Sequence, residues 1–94
     1  MMSLVACEVS EGFRDSEATV AVREVGGNQQ FLRIERDFLT IEDGRPYLTV
    51  GLIQQDRTGR YSLVELPHEA DSGTSRLWVA NEDIKVGDFL EPAR

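Results

Sequence analysis

Apolar and polar residues alternate with a period of two along much of this chain, and short clusters of Gly, Asn, Asp and Thr interrupt the alternation. That pattern predicts β-strands joined by turns. The clearest case is residues 45–66, RPYLTVGLIQQDRTGRYSLVEL. Two strand-like runs flank a predicted three-residue loop, Arg57-Thr58-Gly59, whose glycine can take a left-handed backbone without a Cβ clash. The expected register sets Asp56 opposite Arg60, Gln54 opposite Ser62, Leu52 opposite Val64 and Val50 opposite Leu66. One face then carries Leu48, Val50, Leu52, Val64 and Leu66. The other pairs Ile53 with Leu63, Gln55 with Tyr61 and Gly51 with Glu65. A slip of one residue would set Val50 against Glu65, so the pattern favours this register. Because the second face is half apolar, a cover of some kind is expected there. Gly51 in mid-strand predicts a bend or a close backbone approach.

A first strand is expected near residues 4–9, followed by a polar connection over 11–17. A second hairpin, 18–25 with 29–35, turns on Gly26-Gly27-Asn28, with Asn28 in the left-handed position. Its expected pairs are Val22 with Leu32 and Val20 with Ile34. The sequence Glu35-Arg36-Asp37-Phe38-Leu39 breaks the alternation and predicts a short helical turn that drops Phe38 or Leu39 into the core. Residues 40–44 read as a turn, and Pro46, which cannot donate to a ladder, belongs at a strand start or edge. Residues 67–75 form the longest irregular stretch. Arg76 to Val79 is a further strand with Leu77 and Val79 inward, residues 80–83 a second corner, 84–90 a last turn and strand, and 91–94 a short tail.

The two corners resemble each other, with Leu77 lying 45 residues after Leu32 and Gly87 43 residues after Gly44. Two half-barrels would produce such a repeat. Strand–corner–strand units that share common residue types would produce it as well, and that is the preferred reading, with one extra residue expected in the second copy. Residues 78–84, and the Val86-Gly87-Asp88 step leading into the last strand, resemble SH3-like small barrels. The same step occurs in swapped-hairpin and double-psi barrels built from two half-repeats. The resemblance implies an all-β fold: one small SH3-like barrel of five to six mostly antiparallel strands with short helical turns. It implies no particular function.

With 94 residues the chain is expected to be a single domain, and 40% hydrophobic with 29% charged residues suits a globular protein. Its net charge of −7 argues against binding nucleic acid or an anionic membrane surface. Of the ten basic residues nine are arginine, which we read as a GC-rich, bacterial-like coding bias. The single cysteine, Cys7, excludes an internal disulfide. Leu4-Val5-Ala6-Cys7 resembles a bacterial lipoprotein cleavage box but lacks the charged and apolar regions that precede one. A cytoplasmic protein is expected.

Chemistry is sparse. His68, Glu69 and Asp71 form the densest polar cluster and offer a site for a small ligand or metal, although zinc usually wants more than one histidine. Asp71-Ser72-Gly73-Thr74-Ser75 could cradle a phosphate but lacks a P-loop lysine. No GxSxG elbow supports a hydrolase. The sequence therefore reads as non-enzymatic, with no cofactor called for. Trp78 and Arg76, beside Tyr61 or Tyr47, make the preferred binding surface, with burial of Trp78 under residues 67–75 or against the second hairpin face as the competing reading. The leading expectation is a protein-interaction module with a protein partner or a second copy of itself. The alternatives are a ligand site on the His68 loop and, against the charge, a nucleic-acid barrel using Arg14, Arg23, Arg33 and Arg36.

Overall fold

A computed structural model describes residues 2–11 and 15–85. Among these, nine strands and two single-turn 3₁₀ corners follow in chain order. They are β1 (Met2–Ala6), β2 (Glu8–Glu11), β3 (Glu17–Arg23), β4 (Gln29–Glu35), the first corner (Arg36–Phe38), β5 (Leu39–Glu42), β6 (Arg45–Gln55), β7 (Tyr61–Glu65), β8 (Arg76–Ala80), the second corner (Asn81–Asp83) and β9 (Ile84–Lys85). The fold is all-β and every pairing is antiparallel.

The strands form two open sheets, so the expected closure into a barrel is not found. One sheet has the order β8-β7-β6-β1-β9 with β5 also on β6, and the other has the order β2-β3-β4. Their inner faces pack together. Val20, Val22, Leu32 and Ile34 from the smaller sheet meet Leu48, Val50, Val64, Leu77 and Val79 from the larger. Phe38 and Leu39 pack against this core from the first corner, as expected, and Ile84 does so from the second. On the opposite face of β1 and β6, Leu4 and Tyr47 are buried. There Lys85 lies 5.5 Å from the Tyr47 ring centre and is tied to Glu42 at 3.2 Å.

Both predicted hairpins form, each with a shifted register. In the first, Val20 faces Leu32 and Ala18 faces Ile34. The loop is Val25-Gly26-Gly27, because two glycines at φ 97° and 93° take the left-handed positions and Asn28 stays in the ladder opposite Glu24. A shift of two residues leaves the same side chains inside, since the side-chain period is two. In the central hairpin Asp56 faces Tyr61 instead of Arg60, its N–H donating to the Tyr61 carbonyl at 3.0 Å. The Asp56 carboxylate accepts the Thr58 hydroxyl at 2.8 Å and the Arg60 and Tyr61 N–H groups at 3.2 and 3.3 Å, which shapes a four-residue loop. A bulge between Leu52 and Gln54 absorbs the extra residue. Leu52 therefore keeps Val64, while Gln54 faces Leu63 and Gln55 faces Ser62. Gly51 faces Glu65, and a Cβ there would meet only ordinary contacts at 3.7 Å, so no close backbone approach requires this glycine.

Residues 39–42 are a strand and not a turn, joined to β6 by Asp43-Gly44 at φ 52° and 78°. Those values define a type I′ hairpin turn. The first expected strand is divided at the buried Cys7 into β1 and β2. These short extra strands raise the count above five to six.

The likeness between the corners extends well beyond shared residue types. The second half of β6 with β7, β8 and the second corner repeats the plan of β2, β3, β4 and the first corner. Val20 faces Leu32 as Val64 faces Leu77, and Ala18 faces Ile34 as Ser62 faces Val79. Both corners are three residues long, so no extra residue separates the copies. Each corner's first residue makes the same latch. The Arg36 N–H donates to the Ser16 carbonyl and its Nε to the Asp15 carbonyl, while the Asn81 N–H donates to the Arg60 carbonyl and its Nδ2 to the Gly59 carbonyl. The hairpin loops are also exchanged between halves. The Val25 N–H donates to the Trp78 carbonyl on β8 at 2.8 Å, and the Asp71 N–H donates to the Phe31 carbonyl on β4 at 2.7 Å. Residues 86–94, which include the expected last strand and tail, lie outside the described residues, as does Arg14.

Candidate functional site

Antiparallel pairing between β7 and β8 fixes one side-chain set on the outer face of the larger sheet. Leu63 faces Trp78, Tyr61 faces Ala80 and Glu65 faces Arg76. Their inward neighbours Ser62, Val64, Leu77 and Val79 are buried, and this forces the alternate residues outward. The bulge sets Ile53 and Gln54 together against Leu63, widening the face on the β6 side. On the β8 side the exchanged loop adds Val25. Trp78 is 37% exposed, Ile53 39% and Val25 40%, with Leu63, Tyr61 and Ala80 half-buried between them. Arg76 Nη2 lies 3.7 Å from Glu65 Oε1, a solvent-exposed ion pair at one end of the strip.

Three of the six candidate residues, Trp78, Arg76 and Tyr61, are thus brought together, with Trp78 lying on the second hairpin face in register with Leu63. Among the described residues nothing covers this face, and residues 67–75 dock elsewhere. That loop folds back on itself through Leu66 N–H to Ser75 and Ala70 N–H to Thr74, with Ala70 buried. It is tied to β4 by the Asp71 N–H and by the Ser72 hydroxyl, which lies 2.7 Å from Gln30 Oε1. The Asp71 and Gly73 N–H groups are already spent on the Phe31 and Ala70 carbonyls, so the loop does not present them to a phosphate.

His68, Glu69 and Asp71 are exposed on this loop, and no ion pair or hydrogen bond joins them to Trp78, Arg76 or Tyr61 among the described residues. His68 packs edge-on against Phe38, with ring centres 5.7 Å apart. Among the described residues no group of three or more His, Cys, Asp or Glu side chains is arranged to hold a metal ion. The arginine stripe is interleaved with acids. Arg23 and Arg33 share the outer face of β3 and β4 with Glu17 and Glu35, which face each other, and Arg36 is engaged with the Asp15 carbonyl.

A second, polar cleft lies where β1 gives way to β2. It is lined by Cys7, Arg23, Arg45 and Gln29 and also by Glu8 and Asp83, so its charges balance. Burial pushes the Cys7 thiol up to about 11, which keeps it protonated at neutral pH and a poor nucleophile. At the hairpin tip, burial opposes ionisation of Asp56. The Thr58 hydroxyl and the Tyr61, Arg60 and Gly59 N–H groups outweigh it and hold the carboxyl below the usual carboxylate range. The Lys85 ammonium is held above its ordinary range, chiefly by its hydrogen bond to Glu42. No described helix is long and apolar enough to cross a membrane.

Sequence reasoning placed Ile53 opposite Leu63 but missed Val25, which reaches the face only through the exchanged loop. Compared with protein-family models, curated proteins and solved structures, the chain matches none.

Proposed function

We propose that this protein is an interaction module that holds a protein partner on the outer face of β6, β7 and β8. One observation carries the reading: Trp78, 37% exposed, stands in a continuous apolar strip with Leu63, Tyr61 and Ile53 on a sheet face that nothing else in the described chain covers. Exposed tryptophan and tyrosine on a rigid sheet supply large contact area at small entropic cost. The geometry offers no competing catalytic constellation among the described residues, and the strip is apolar where a nucleic-acid face would be basic.

Trp78 is the only tryptophan, so its fluorescence reports the site directly. In isolated protein its emission is expected to be red-shifted and readily quenched by acrylamide at every protein concentration. A partner retained by the wild-type protein should be lost with Trp78→Ala and kept with His68→Ala. Emission that is blue-shifted and protected at all concentrations would overturn the reading. Protection that grows with concentration would instead identify the partner as a second copy of this chain.

A further inference from the structure

The strip continues into a groove between the exchanged loop and the second corner, floored by Val25, Tyr61 and Ala80 and rimmed by Glu24, Glu82 and Asp83. Arg23 is the one cation lining it among the described residues. None of the three carboxylates is in an ion pair among the described residues, although Glu24 accepts a hydrogen bond from Gln30 at 2.9 Å. Three carboxylates against Arg23 leave the described lining of the groove with a net charge of −2, although Asp83 also borders Arg45 across the polar cleft. Such an acidic rim beside a desolvating apolar floor favours a cation held next to an apolar group. It also opposes a second copy of this chain, which brings its own net charge of −7.

The geometry points to a specific class of partner: an extended peptide segment in which an apolar side chain lies on Trp78 and Leu63 and a lysine or arginine reaches into the groove at Glu24, Glu82 and Asp83. This rests on the interaction reading above and adds the chemistry of its partner. Charge would set orientation and discrimination, while the aromatic strip would supply most of the affinity. The contact is therefore salt-sensitive, since the rim lies in water and its field is screened over roughly 10 Å at 0.1 M salt.

The experiment titrates the intact protein with three blocked hexapeptides that lack Trp and Tyr, following Trp78 emission at low salt. Their sequences are Lys-Leu-Ser-Phe-Lys-Ser, Glu-Leu-Ser-Phe-Glu-Ser and Lys-Ser-Ser-Ser-Lys-Ser. The first should shift the emission and bind about tenfold more tightly than the second, as several exposed charge contacts of ordinary strength imply. The third should not shift it. The triple variant E24Q/E82Q/D83N should erase the preference for the first over the second while leaving the emission of the free protein unchanged. If both Leu/Phe peptides bind equally, or the acidic one binds better, the charge assignment falls and the interaction face stands. Failure of every peptide to move Trp78 emission would remove the assignment and the face together. An emission shift on simple dilution would overturn the peptide assignment and give the face to a second copy of this chain.

Discussion

Two buried polar atoms show how differently single residues can be placed in one core. The Ser62 hydroxyl, on the inner face of β7, donates to Asn81 Oδ1, whereas the equally buried Ser3 hydroxyl on β1 has no hydrogen-bond partner among the described residues. An unpaired buried hydroxyl costs about 1–3 kcal/mol, so Ser3→Ala is expected to raise stability by about 1 kcal/mol in urea unfolding. Cys7 is buried as a neutral thiol pushed up to about 11, against 9.0 for the free group. Its folded value is the higher one, so its contribution is fully present below pH 9.0 and is lost as pH rises towards about 11. In that window the unfolded chain ionises first. Cys7→Ala should flatten the decline in stability over that interval by up to about 2 kcal/mol, measured as the difference between the two proteins' pH profiles. Both environments follow from tertiary packing. Nothing in the sequence distinguished Ser3 from Ser62.

At the scale of the element, the corner latch is the device that holds each half. Asn81 ties the turn after β6 to the corner after β8, and in doing so satisfies the one hydroxyl that β7 buries. Asn81→Ala should therefore cost about 1–3 kcal/mol, because it strands Ser62 as well as removing its own bonds. A Ser62→Ala, Asn81→Ala double-mutant cycle should show positive coupling, since the second change costs little once the first is made. Arg36→Ala, at the equivalent but exposed position, should cost less. The corners were legible because each interrupts a clean alternation with charged residues before an apolar one. The strand after the first corner was not read, although Asp43-Gly44 is a strong short-range hairpin signal. Its four residues, Leu39 to Glu42, are too few to establish a period. Register was legible in parity and not in number. Burial of one face fixes which side chains turn inward, while the turn's own hydrogen bonds decide how many residues the loop takes.

Across the whole molecule, the exchanged loops do what closure into a barrel would have done. The outer edges of β4 and β8 are each met by a loop from the other half, at Phe31 and at Trp78, which blunts two edges that could otherwise pair with another chain. In native-state hydrogen exchange the Val25 and Asp71 amides should accordingly be protected like strand amides, although both residues sit in loops. Fast exchange at both would show the halves to be joined without these loop contacts, through the core and the pairings of β1 and β5 with β6 and of β1 with β9. The all-β class, the inward-facing residues of both hairpins and the two corners were fixed by local chemistry: period-two burial and turn residues. Only the tertiary structure decided that, among the described residues, the sheets stay open, that the two halves repeat one plan, and that the long loop after β7 docks on β4 and not over Trp78. Those outcomes depend on contacts between residues far apart in the chain, and alternation carries no record of which strand edge a distant loop will meet.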